Sequence, residues 1–158
     1  MRYTRVETPI GTLTLLGGDA GLRNVLWDGE IPPDEATHQP SATLTAAADQ
    51  IREYFDGTRR SFEIPLDLVG TPFQRRAWQE LSRIPFGETI SYAEQARRVG
   101  NPRAARAVGS ANAANRIPVV LPCHRVVSAG GGLGGFGGGL DVKQLLLDHE
   151  ARVLEGRS

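Results

Sequence analysis

Residues 91–112, SYAEQARRVGNPRAARAVGSAN, read as two short helices joined across Gly100-Asn101. Ser91-Tyr92-Ala93-Glu94 has the form of a capping box, a hydroxyl followed three residues on by a carboxylate that can reach back. Gly100 ends that helix, and Asn101-Pro102 caps the next, which runs to about Asn112 with proline at its first position. Ala93, Ala96, Val99, Ala104, Val108 and Ala111 supply the seam between the two. These side chains are small, so the helices can approach closely. Arg103 and Arg106 fall on the opposite face of the second helix, away from the seam. The pattern predicts a helix-turn-helix.

Working outward, Thr71-Pro72-Phe73-Gln74 is a further capping box, and Phe73, Ala77, Trp78 and Leu81 form the inward face of its helix. Before Thr71 the texture is different. Met1–Glu7, Leu13–Leu16 and Leu22–Leu26 are β-prone runs separated by proline- and glycine-bearing breaks. Glu30–Ser41, rich in proline and acid, reads as a loop. Leu44–Phe55 carries Leu44, Ala47, Ala48, Ile51, Tyr54 and Phe55 on one helical face, and Ser61–Leu66 suits a strand. On the C-terminal side, Ile117–Leu121 reads as a short apolar strand leading to Pro122-Cys123-His124-Arg125-Val126-Val127. A loop, Gly130–Gly139, holds eight glycines in ten residues. A last helix spans about Asp141 to Val153, with Val142, Leu145, Leu146, His149 and Val153 inward. The expected class is α+β: a small N-terminal β-sheet with a helix over residues 1–68, then a mainly helical domain, 69–158, containing the helix-turn-helix.

The formal net charge is zero, but it is unevenly spread. Residues 1–70 hold 6 Arg against 11 Asp and Glu, while residues 71–158 hold 12 Lys and Arg against 7 acids. Between Ser91 and Val127, Arg97, Arg98, Arg103, Arg106, Arg116 and Arg125 face only Glu94. Such a basic surface suits a phosphate backbone, and equally an ordinary solvated helix pair. No apolar run approaches a membrane span, and the N-terminus lacks the pattern of a signal peptide, so no membrane partner and a reducing cytoplasm are expected. With one cysteine the chain can form neither an internal disulfide nor a thiolate zinc cluster.

Cys123 lies between the apolar run and the glycine loop, directly before His124. A lone cysteine is most often a small buried hydrophobe. A neighbouring imidazole and arginine are also what would favour a thiolate nucleophile. Gly132-x-Gly134-x-x-Gly137 matches a dinucleotide fingerprint, but two more glycines precede the helix and no βαβ unit follows, so that reading fails. A loop whose backbone approaches a flat ligand closely accounts better for the glycines.

Residues 117–127, IPVVLPCHRVV, resemble the active-site signature of the O6-alkylguanine-DNA alkyltransferases (methylated-DNA–protein-cysteine methyltransferases). Ile84–Tyr92, Asn101–Gly109, Gly138-Gly139-Leu140 and Leu146–Glu150 match the same family in order, so the close resemblance covers about Thr71 to Glu150. It implies direct repair of DNA, in which an alkyl group leaves O6 of guanine, and O4 of thymine, for the protein's own cysteine in one turnover. By that resemblance Cys123 would be the nucleophile, and His124 would reach it through a water while Glu150 orients the imidazole. Asn115 would fix the turn beneath the site. Tyr92 would meet the extruded base, and Arg106 would fill the gap left in the stack. Arg103, Ala105, Arg125 and Ser91 would complete the DNA face, and Val126, Phe136, Gly137 and Gly138 the base pocket. The second helix would lie in the minor groove, where sequence information is poor and a slim helix fits. The implied partner is double-stranded DNA carrying alkylated guanine, and also single-stranded DNA, met by a monomer without cofactor or metal. Some relatives hold zinc through cysteines that this chain lacks. Asn112 stands where relatives often carry an apolar residue.

Three other readings compete. A non-catalytic alkylated-base sensor of the same superfamily would lack the nucleophile. A cysteine hydrolase would need an oxyanion hole and turnover. A helix-turn-helix regulator would need a dimerisation element, and no helix is spare for one.

Overall fold

The chain divides into two units, Met1–Val69 and the residues from Gly70 onward. The structure, a computed structural model, describes residues 1–130 and 132–156. Gly131 of the expected glycine loop, and Arg157 and Ser158 at the end of the expected second domain, lie outside the described residues.

In the first unit, β1 (Arg2–Thr8), β2 (Gly11–Gly18) and β3 (Gly21–Leu26) form an antiparallel meander. The β1–β2 turn is closed by the Thr8 hydroxyl donating to the Gly11 carbonyl at 2.7 Å. A short β4 (Thr37–His38) joins parallel to β1, so the sheet order is β3-β2-β1-β4. This pairing corrects the all-loop reading of 30–41, where a two-residue strand is too brief to leave a periodic signal. Helix α1 (Ala42–Asp56) starts where the Ser41 hydroxyl accepts from the Leu44 amide, and it buries Leu44, Ala47, Ala48, Ile51 and Tyr54. Their burial with Leu13, Leu15 and Leu22, all at 0–1% exposure save Ala48, makes this unit's core. The expected strand over Ser61–Leu66 is reduced to one bridge, Leu22 to Leu66. Pro65 has no N–H to continue a ladder.

In the second unit α2 (Pro72–Leu81) has the full capping box: Thr71 Oγ1 accepts from the Gln74 amide, and the Gln74 side chain accepts from the Thr71 amide. Trp78 is buried on this helix, and its indole N–H donates to the Ala111 carbonyl at 2.7 Å. After β5 (Ile90–Ser91) comes α3 (Tyr92–Arg98), capped by Ser91 Oγ. The Glu94 carboxylate does not reach back, because it pairs with Arg97 and Arg98 instead. Helix α4 (Ala105–Ala113) begins later than expected. Asn101 Oδ1 accepts from the Arg103 amide, closing a local turn, so Arg103 lies before the helix rather than on it.

Ala77, Ala96, Ala104, Val108 and Ala111 cluster at the junction of α2, α3 and α4. Ala93 is exposed, and Gln95 takes the inner position in its place. Past a 3-10 turn at Cys123–Arg125, β6 (Val126–Val127) pairs parallel with β5. Helix α5 (Leu140–Leu154) closes the unit. Its buried face is Lys143, Leu146, Glu150 and Val153; of the expected inward residues Leu146 and Val153 are buried, Val142 and His149 are only partly so, and Leu145 is 48% exposed. Two buried charges, each with partners waiting, set the rotation of this helix against its apolar periodicity. Among the described residues no helix is long and apolar enough to cross a membrane.

Candidate active site

The run before Cys123 is not a strand. Residues 116–121 form a turn that Asn115 braces from within: its Oδ1 accepts from the Ile117 amide and its Nδ2 donates to the Leu121 carbonyl, both at 2.9 Å. Val119 sits in the left-handed region at φ 71°, although it is β-branched and buried. A side chain is held there only when its surroundings overdetermine the backbone. The turn delivers Cys123 to the start of the 3-10 segment with the Asn115 amide in hydrogen-bonding reach of the thiol. Burial pushes the Cys123 thiol above its ordinary value, and the Asn115 hydrogen bond and the Lys143 charge pull the other way.

Behind the cysteine lies a buried ionic cluster. Glu150 on α5 is 1% exposed and its two oxygens accept hydrogen bonds from several sides. They come from His124 Nε2 at 2.6 Å, Arg125 Nε at 2.9 Å, Arg125 Nη2 at 3.0 Å and the Gly87 amide at 2.8 Å. Burial would raise the Glu150 carboxyl, but the hydrogen bonds from His124 and Arg125 and the charge of Arg125 outweigh it and keep the group ionised. An ionised carboxylate only accepts, so His124 Nε2 must carry the proton and Nδ1 holds a lone pair. Burial lowers the His124 pKa against the pull of Glu150, so the ring is neutral. Its Nδ1 is buried and has no hydrogen-bond partner in the protein. The cluster thus contains an oriented, neutral imidazole whose basic nitrogen is unused.

Arg125 was expected on the DNA face. Instead it is 5% exposed, forked onto Glu150, and gives its remaining Nη1 to the Ile84 carbonyl at 2.7 Å, with Phe86 under its guanidinium. The family-like stretch 84–87 is therefore the lid of this cluster. Gly87 is held at φ 81°, and a Cβ there would run into Leu154.

In front of the cysteine is a pocket of about 550 Å³. Tyr92 at the start of α3, Ala105, Arg106, Gly109 and Asn112 along α4, and the loop at Gly135–Gly137 form its walls. The Tyr92 hydroxyl meets the Gly135 carbonyl at 3.5 Å, and burial holds its pKa above the ordinary value. Gly134, at φ 71°, passes so near Tyr92 that a Cβ would stand 2.6 Å from the hydroxyl, which explains a glycine there.

The loop is tied down by a residue that sequence reasoning missed. Lys143, fully buried on α5, donates to the carbonyls of Val126, Leu133 and Gly135, and its ammonium lies 6.0 Å from the Tyr92 ring centroid. Its only sequence signal was being the one lysine in an arginine-rich chain.

Cys123, Tyr92, Ala105, Arg106, Phe136 and Gly137 thus meet at one pocket, with Asn115, His124 and Glu150 behind it. Val126, expected to line the pocket, is fully buried and outside its wall, since its backbone is committed to β5 and to Lys143. Gly138 is not among the lining residues either. Ser91 spends its hydroxyl on the α3 cap, and Arg103 is exposed in the turn before α4.

Known proteins resemble this chain in sequence and in fold. The family model described as 6-O-methylguanine DNA methyltransferase, DNA binding domain, matches residues 72–152. The ribonuclease-like domain model of the same family matches residues 1–68. The methylated-DNA–protein-cysteine methyltransferase of Mycolicibacterium paratuberculosis is 49% identical, over 96% of this chain and 93% of its own length. The constitutive enzyme of that name from Bacillus subtilis is 40% identical, over 94% of each chain. The crystal structure of Mycobacterium tuberculosis OGT in complex with DNA superposes with a TM-score of 0.90 at 43% identity, covering 97% of this chain and 94% of that one. This chain belongs to the 6-O-methylguanine DNA methyltransferase family.

Proposed function

We propose that this chain repairs DNA by direct reversal, moving an alkyl group from O6 of guanine to its own cysteine in a single turnover. The observation that carries the reading is the meeting of one pocket and one thiol: Cys123, the only cysteine in the chain, lies at the bottom of a cleft with a neutral, oriented imidazole next to it in sequence.

His124 Nδ1 takes the thiol proton by way of a water, which overcomes the raised thiol pKa locally. The sulfur lone pair then forms an S–C bond with the alkyl carbon as the C–O6 bond breaks, and the electron pair leaves with guanine. Tyr92, whose phenol is protonated at neutral pH, returns a proton to the leaving base. The balance is a thioether and an unmodified guanine. A thioether does not hydrolyse readily, so the protein is spent.

The target guanine must leave the duplex for its O6 to reach Cys123. Arg106, exposed on α4 and at the pocket rim, takes its place in the stack. Ala105, Gly109 and Ala113 keep that helix slim enough for the minor groove. Arg103 and Arg116 supply further positive charge to phosphates. Single-stranded DNA is also a substrate, and the protein acts as a monomer.

The test is the intact mass of the protein after incubation with a duplex holding one O6-methylguanine. One added methylene, saturating at one per chain and mapped to Cys123, is expected. Cys123→Ala should gain nothing while keeping its affinity for DNA within about threefold, since phosphate contacts dominate binding. Tight binding without a mass change would favour the sensor, and repeated turnover a hydrolase.

A further inference from the structure

Gln95 on α3 and Asn112 on α4 form a buried, reciprocal amide pair. Gln95 Nε2 donates to Asn112 Oδ1 at 3.0 Å, and Asn112 Nδ2 donates to Gln95 Oε1 at 2.8 Å. The Ala77 carbonyl, 3.3 Å from Gln95 Nε2, fixes which way round the pair stands, because only the NH2 side of Gln95 can face a carbonyl. Two amides in a seam otherwise built from alanine and valine are a costly choice unless they do something that leucine would not.

Asn112 also lines the pocket. Among the described lining residues two are buried, Asn112 at 9% and Cys123 at 7% exposure, so these two make the floor. A carboxamide carries two N–H donors and two acceptor lone pairs. Gln95 engages one of each, which leaves one donor and one acceptor on a residue that lines the same pocket as the thiol. The carbon attached to O6 must reach Cys123, so whatever follows that carbon comes to rest on the same floor.

We propose that Asn112 is a specificity-determining residue of this site, held in position by Gln95, and that it favours O6 adducts bearing a hydroxyl on their second carbon over apolar adducts of equal size. This rests on the alkyl-transfer reading above. A 2-hydroxyethyl group can pair with the free edge of the amide, whereas a propyl group of the same heavy-atom count strips water from that edge and returns nothing. One neutral hydrogen bond of this kind corresponds to a rate ratio of about tenfold.

The experiment is single-turnover transfer from duplexes carrying O6-(2-hydroxyethyl)guanine or O6-propylguanine, read as mass gain on Cys123. The two rates are taken on one protein sample, so that any inactive fraction cancels in their ratio. The full chain is compared with Asn112→Leu and with Gln95→Leu/Asn112→Met, the double variant leaving no half of the pair buried alone. The unaltered chain should prefer hydroxyethyl about tenfold, and both variants should fall to parity or prefer propyl. A ratio near one in the unaltered chain, or one that both variants preserve, overturns the assignment. An O6-methylguanine duplex separates the two failures. Methyl transfer with a flat ratio removes only the role of Asn112, while absence of methyl transfer removes the alkyl-transfer reading and this inference with it.

Discussion

Glu150 satisfies three demands with one carboxylate: it neutralises Arg125, fixes the His124 tautomer and receives the Gly87 amide. Glu150→Gln keeps the shape but removes the charge and turns one acceptor into a donor facing a donor. Breaking a buried pair in this way costs about 3–5 kcal/mol, because the remaining charge stays buried without compensation. Urea unfolding should register that loss, and alkyl transfer measured below the unfolding transition should slow as well, since His124 Nδ1 is no longer held basic. An unchanged rate would mean that the imidazole does not act. At this scale the cysteine signature made Cys123 and His124 legible, because a short fixed spacing carries them, and the wider family resemblance pointed to Asn115. Arg125 was misplaced for the opposite reason. In sequence an arginine looks like surface charge, and only the return of α5, 25 residues later, supplies the carboxylate that buries it.

Among the elements, α2 and α3 were legible because their caps are written locally, in Thr71 and Ser91 with the residues three positions on, and α1 because its apolar residues recur on one face, its Ser41 cap emerging only in the structure. The start of α4 was not, since Asn101 can cap either a helix or a turn and the turn won. The phase of α5 was also hidden. Its apolar positions suggested one face, but Lys143 and Glu150 turn another inward, and their partners lie on the glycine loop and the 3-10 segment. Lys143 is how this helix holds the loop, and its charge also lowers the thiol pKa. Lys143→Met should therefore do two things. Transfer should slow on the order of tenfold or more as the loop carbonyls lose a charged donor. The midpoint of Cys123 modification by a small thiol reagent should move to higher pH. A slower transfer with an unmoved midpoint would assign Lys143 to loop anchoring alone.

For the molecule as a whole, acid is the expected weakness. Folded, His124 resists protonation below its ordinary value of 6.5 and Glu150 below its ordinary value of 4.5. Unfolded, both titrate normally. As pH falls through those values the unfolded chain binds protons that the folded chain does not, so stability present at neutral pH is lost toward acid. The melting temperature should decline below pH 6.5 and more steeply below 4.5, with the second decline shallower in Glu150→Gln, where only carboxylates such as Glu94 still contribute to it. A curve flat to pH 4 would mean that the cluster is not closed to water. The opposite charge of the two halves was plain in the sequence, and so was the change of texture near Thr71.

A lone thiol at the floor of its pocket has a consequence outside chemistry. Each molecule can register one event and then keeps the mark, so a population of these chains is a counter rather than a catalyst. The fraction carrying the mark integrates past exposure, and the capacity left for the next dose depends on how fast new chains are synthesised, not on how fast any one of them works.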